Sequence, residues 1–216
     1  MTTIGILGGT SPAGRGVAIR LANAGYDVVL GSRDLSRAQE VAGSLSPRGI
    51  ISGATNEGAA LNDIVMVATP WDSAVATVRP LKSQLAGKTV VSMVNALARE
   101  GRELVPLLPS RGSMAAQIAF ALPESRIVGA FHHLPAATME DQDSDLDADV
   151  VIFSDCEEDR QRVAELVNHM EGLRAVIAGS MSLASSIEAF TAVCISINIR
   201  YKSHSYVKLF GLAASL

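Results

Sequence analysis

The chain has 216 residues, a formal net charge of −4 and 48% hydrophobic residues, enough for one full α/β domain and a small appendage. The acidic balance offers no basic field for nucleic acid, so small molecules are the expected ligands. The longest apolar helical stretches, such as 189–199, fall short of the ~20 residues a bilayer span needs, so no membrane segment is expected.

Apolar runs of four to seven residues alternate with segments of helical period, the pattern of repeated βα units. The first strand, 3–7, begins without a basic leader or cleavage pattern, which makes a cytoplasmic protein the expectation. Gly8-Gly9-Thr10-Ser11-Pro12-Ala13-Gly14 follows it and opens a helix at 12–24. Gly9 is expected to make the tight turn and Gly14 to let the helix approach the sheet. Ser11 as N-cap and Pro12 as first helical residue leave free N–H groups across Thr10 to Ala13, suited to a pyrophosphate. The alternative is a strand-to-helix turn with no ligand. The second strand, 26–31, runs into Gly31-Ser32-Arg33, where an NAD site places an acidic residue for the ribose. A hydroxyl and a guanidinium suit a 2′-phosphate instead, Arg37 adds a second positive charge, and Asp34 caps the helix at 34–45. NADP(H) is the expected coenzyme.

Strands near 49–54 and 63–69 come next. The run Ile64-Val65-Met66-Val67-Ala68 is apolar on both faces and reads as a central strand. It ends in Thr69-Pro70-Trp71, on the carboxyl edge where open α/β sheets bind ligands. Thr69 and Pro70 are expected to border the nicotinamide, while Trp71 either stacks on a ligand or packs the start of a helix at 72–86. The strand at 88–93 leads to Asn95, a ribose or carboxamide contact or else a turn cap. After a helix at 113–122, the strand at 126–132 closes on His132 and His133, which face a substrate ring or serve structure alone.

The acidic stretch 140–149 reads as a surface loop at a domain boundary. Its alternating aspartates do not make a calcium loop, because Leu146 and Ile152 stand where glycine and glutamate are needed. Cys156 and Cys194 sit in unrelated contexts and suggest reduced thiols, not a disulfide or metal site. Strands near 149–154 and 174–178 and helices at 157–170 and 182–201 complete the chain. The expected fold is α/β, a doubly wound parallel Rossmann sheet. Residues 1–138 form the NADP-binding domain, and 139–216 a small C-terminal α/β domain whose long apolar helix offers a homodimer face.

No lysine occurs between Lys88 and Lys202 and no Tyr-x-x-x-Lys is present, so carbonyl-polarising donors of the common dehydrogenases have no candidate. Hydride exchange between two planar heterocycles needs neither, and no catalytic side chain is assigned. The chain resembles the NADPH-dependent reductases of the 5-deazaflavin coenzyme F420. The likeness rests on Ile6-Leu7-Gly8-Gly9-Thr10, Gly31-Ser32-Arg33, Thr69-Pro70-Trp71, Val90-Val91-Ser92, His132 with Leu134-Pro135-Ala136-Ala137, and Gly172-Leu173-Arg174 before Gly179-Ser180. The resemblance implies phosphate contacts at Thr10, Ser32, Arg33 and Arg37. It also implies a nicotinamide end lined by Thr69, Asn95 and Ala136, with coenzyme F420 over it near His132, Pro135 and the C-terminal segment, Val207 included. Ser11-Pro12 replaces the Gly-Asn of that family. Two alternatives stay open: a non-catalytic NADP-sensing protein, and a small imine or ketone reductase, which would need a proton donor such as His132 or Tyr206.

Overall fold

A computed structural model describes residues 2–101 and 103–212. Its strands are β1 Thr3–Leu7, β2 Asp27–Ser32, β3 Ile51–Thr55, β4 Ile64–Val67, β5 Thr89–Ser92, β6 Leu97–Glu100, β7 Glu103–Pro106, β8 Arg126–Gly129, β9 Ala148–Phe153 and β10 Leu173–Gly179. The helices are α1 Pro12–Asn23, α2 Leu35–Ser44, α3 Asn56–Ala59, α4 Trp71–Val78, α5 Lys82–Leu85, α6 Met114–Ala121, α7 Ala136–Glu140, α8 Glu157–Asn168 and α9 Ala184–Tyr201.

Eight strands form one sheet in the order β10-β9-β8-β5-β4-β1-β2-β3, and β6 and β7 pair as a separate antiparallel hairpin. The six strands from β3 to β8 are parallel and follow the doubly wound order, with the switch point between β1 and β4. β4 lies between β1 and β5 with all four residues buried, because helices cover both of its faces. One apolar layer packs α1 and α8 on the sheet through Val17, Leu21, Val163 and Val167; the other packs α4 and α6 through Val78 and Ile118.

The sheet departs from the expected parallel order at its C-terminal end. β9 meets β8 antiparallel at the single pair Gly129↔Phe153, and β10 runs parallel to β9. The Phe153 ring fills the space a side chain at position 129 would need. The sheet therefore continues across residue 138, and the later residues extend it. The long helix expected at 72–86 is broken into α4, a 3-10 turn at Arg79–Leu81 containing Pro80, and α5.

The acidic stretch is less loose than its composition suggests. Arg20 of α1, buried, donates to the carbonyls of Met139, Thr138 and Asp141, closing the C-terminus of α7. The segment Met181–Tyr201 is, as a helix, long and apolar enough to cross a membrane by length and composition, which the shorter apolar runs in the sequence did not suggest. One side of it packs on protein: Glu188, in its middle, accepts the Met114 and Ala115 N–H groups at the start of α6.

Candidate functional site

The turn after β1 is built by Gly8, not Gly9. Gly8 holds φ at +67°, and a Cβ there would lie 2.6 Å from the Thr69 side chain. Gly9 supplies close approach instead: its N–H donates to Ile6 and Gly31 carbonyls, and Gly14 packs against its backbone. Ser11 caps α1 as expected, its Oγ accepting the Gly14 N–H at 3.1 Å. The same oxygen donates to the Ala68 carbonyl at 2.9 Å, tying the loop to the end of β4. Among the described residues, the N–H groups of Thr10 and Ala13 have no partner, which leaves donors at the positive end of α1 for an anion.

A cleft of about 640 Å³ opens here. Ser32, Arg33 and Arg37 stand at its far end, as expected from the sequence, and no carboxylate pairs with either arginine among the described residues. Asp34 is taken up in capping α2 through the Arg37 N–H. Thr69 and Pro70 border the near end, and the Thr69 Oγ1 is buried without a partner among the described residues. Asn56 and Arg15 are among the cleft residues that escaped the sequence reading. The Asn56 side chain accepts the Gly8 N–H at 3.1 Å. Arg15 bonds the Thr10 carbonyl and grips Glu140 of α7.

A second cleft of about 270 Å³ adjoins along the first turn of α1, where Ala13 lines it next to Pro12 of the first. Asn95, His132, Pro135 and Ala136 line it, so Asn95 and Ala136, expected beside Thr69, stand across the divide from that residue, and α9 supplies the other wall through Thr191, Cys194, Ile195 and Asn198. That face recurs at one-turn spacing and was legible in principle. Ser205, held by Asn198, is the tail residue in this cleft. Val207 is not: its carbonyl accepts the Asp149 N–H, so it serves the sheet edge.

The floor of the second cleft is a closed neutral network. Asn95 Oδ1 accepts the His132 Nδ1 proton at 2.9 Å and the Thr191 hydroxyl at 3.1 Å, and Asn95 Nδ2 donates to the His132 carbonyl. An amide oxygen can only accept, so the His132 proton sits on Nδ1, and Nε2 is a buried acceptor without a partner. Burial and the neighbouring His133 push the His132 pKa down to about 3. The ring stacks on Phe153 at 5.5 Å. Phe131, just before it, lines the same cleft with φ of +64°, a strained conformation. Trp71 faces neither cleft; it lines a separate groove with α6.

A doubly wound sheet, a helix start with free donors at the first turn and a basic end to β2 define a dinucleotide-binding α/β protein. The family model for NADP oxidoreductase, coenzyme F420-dependent, matches residues 3–96. The F420-dependent NADP reductase of Methanocaldococcus jannaschii is 38% identical over 210 residues, covering 93% of this chain and 94% of that protein. The protein of the same name from Methanothermobacter thermautotrophicus is 30% identical, covering 91% and 89%. A solved structure from Arthrobacter sp. FB24, provisionally named for the same activity, aligns with a TM-score of 0.80 at 21% identity over 94% of this chain and 96% of that one, a likeness of fold. This chain belongs to the F420-dependent NADP reductase family.

Proposed function

We propose that this chain is an oxidoreductase that transfers a hydride between NADP(H) and the 5-deazaflavin coenzyme F420. The observation that carries this reading is the pairing of two adjoining clefts: one ends in Ser32, Arg33 and Arg37, and the other has the neutral floor Asn95-His132-Thr191. Among the described residues, Thr69 Oγ1 and His132 Nε2 are buried without a partner, which supports polar ligand contacts in both clefts. When bound, the nicotinamide supplies a hydride at C4 and the deazaflavin accepts one at C5.

The protein's part is to bind, orient and exclude water. Thr10 and Ala13 N–H groups hold the pyrophosphate, with Ser11 and Pro12 setting the helix start. Ser32, Arg33 and Arg37 take the 2′-phosphate. Thr69, Pro70, Asn95 and Ala136 flank the nicotinamide, while His132 and Pro135 meet the deazaflavin. Residues 1–138 thus carry the NADP site, and residues after 139 complete the deazaflavin cleft through Thr191, Asn198 and Ser205. His132 stays neutral and gives up no proton, which suits direct exchange.

An imine or ketone reductase needs a proton donor, and neither candidate serves. His132 commits its only proton to Asn95, and Tyr206 packs against the apolar core. Deuterium placed on one face of the NADPH C4 is expected at C5 of reduced coenzyme F420, undiluted by solvent. Turnover with a ketone or imine but not a deazaflavin would sink the reading, and tight NADPH binding with no acceptor at all would favour a sensor. A cytoplasmic location and a homodimer through α9, whose Phe190, Val193 and Ile197 are exposed, complete the proposal. Light scattering tests the second.

A further inference from the structure

Between α4 and α6 lies a groove of about 490 Å³ that belongs to neither cleft. Trp71 and Phe120, 39% and 64% exposed, form its apolar walls, and Arg79 and Arg111 stand in it. The Arg111 guanidinium lies over the Phe120 ring, 3.5 Å from its centroid, and is held on that aromatic face. Among the described residues neither Arg79 nor Arg111 forms an ion pair, and Asp72 is the only acidic side chain lining the groove. Two unneutralised guanidiniums between two exposed aromatic faces, on a chain of net charge −4, match a flexible anion.

The groove starts one residue along the chain from the coenzyme cleft. Trp71 directly follows Pro70, which lines the coenzyme cleft. Met114, at the head of the groove, bonds Glu188 of α9, and Thr191, three residues on, lines the second cleft. We propose that this groove receives the anionic side chain of the deazaflavin substrate, its phosphodiester and carboxylates, an inference that rests on the deazaflavin reading above. Arg79 and Arg111 pair with the anions, while Trp71 and Phe120 flank the chain between them. Substrate charge is then read away from the reacting rings.

The test compares coenzyme F420 with the tail-free 8-hydroxy-5-deazariboflavin as hydride acceptors. The variants are Arg79→Ala with Arg111→Ala, the same pair changed to Lys, and Arg200→Ala with Lys202→Ala as a basic control elsewhere. The Ala pair is expected to raise KM for coenzyme F420 by about tenfold or more, leaving kcat, the KM of the tail-free acceptor and that of NADPH unchanged. The Lys pair should retain most of the affinity. High salt should shrink the wild-type preference for the charged acceptor. Equal KM changes for both acceptors, no change at all, or a loss that follows Arg200 and Lys202 would overturn the groove alone. A wild-type protein that reduces neither acceptor would overturn the deazaflavin reading with it.

Discussion

Ser11 and Ala68 are joined by a hydrogen bond that makes the phosphate loop part of the sheet edge. The Ser11 Oγ donates to the Ala68 carbonyl at 2.9 Å while it accepts the Gly14 N–H at 3.1 Å. Glycine at an N-cap costs only a few tenths of a kcal/mol, so capping alone would let Ser11→Gly pass. The second bond, worth about 1 kcal/mol, changes that sum and frees the loop from β4. Ser11→Gly is expected to fold and to bind NADPH roughly five- to tenfold more weakly, read by fluorescence titration. Ser11→Leu should abolish binding by bulk, and wild-type affinity in that variant would show that no phosphate sits at this turn.

Arg33 is exposed, ends β2 and has no carboxylate partner among the described residues. A charge-assisted contact to a phosphate is worth about 1.5–3 kcal/mol, and exposure to solvent places this one at the lower end. Arg33→Ala is expected to weaken NADPH by roughly tenfold and to leave NADH unchanged. The difference should shrink as salt rises. Equal losses for both coenzymes would show that Arg33 does not read the 2′-phosphate.

What was legible in the sequence is what local chemistry decides. Ser11 and Asp34 cap the helices assigned to them because capping involves only the next three residues. The all-apolar β4 is central because only a strand covered on both faces tolerates that composition. Long-range partners were not legible. The second bond of Ser11 reaches position 68, and the Arg15 side chain reaches position 140. β6 and β7 escaped because Leu97-Ala98-Arg99-Glu100 lacks strict alternation and its hairpin turn, with Gly101 at φ +59°, joins half-exposed strands. The direction of β9 followed from its pairing with β8, which no periodicity encodes. Val207 was carried over from a family tail; the hydrogen bonds of Asp149 place it on the sheet edge instead.

The C-terminal tail is fastened to the sheet by one buried carboxylate. Asp149 accepts both Arg174 nitrogens and the Leu209 N–H, and Lys208 lies between Asp147 and Asp149. Burial alone would raise the Asp149 pKa, but the bonds from Arg174 and Leu209 outweigh it and hold the group below the usual carboxylate range. Its stabilisation is therefore present above the unfolded value and is lost as pH falls towards the folded one. Asp149→Asn is expected to lower Tm by roughly 2–8 °C, for a loss of about 1–2 kcal/mol. It should also raise KM for coenzyme F420 by loosening Ser205, with NADPH binding intact. An unchanged KM would show that the tail does not shape the second cleft.

His132 sets a different pH dependence. Its folded pKa of about 3 lies below the ordinary histidine value of 6.5, because burial and His133 disfavour the imidazolium. Below pH 6.5 the unfolded chain takes up a proton that the folded one refuses, so this stabilisation is complete above that pH and falls away towards pH 3. The slope from this group approaches about 1.4 kcal/mol per pH unit inside that window. His133, also lowered chiefly by burial, acts in the same direction. Chemical denaturation between pH 7 and 4 should show falling stability. His132→Asn removes the titrating group and should flatten the curve, although the lost bond to Asn95 lowers stability at neutral pH. Turnover should carry no ionisation of His132 between pH 5 and 8, because the ring is neutral throughout. A stability curve with the same slope in His132→Asn, or a kcat profile whose inflection near neutrality vanishes in that variant, would show that the imidazole titrates in the folded protein and that the network with Asn95 and Thr191 is not the neutral floor described above.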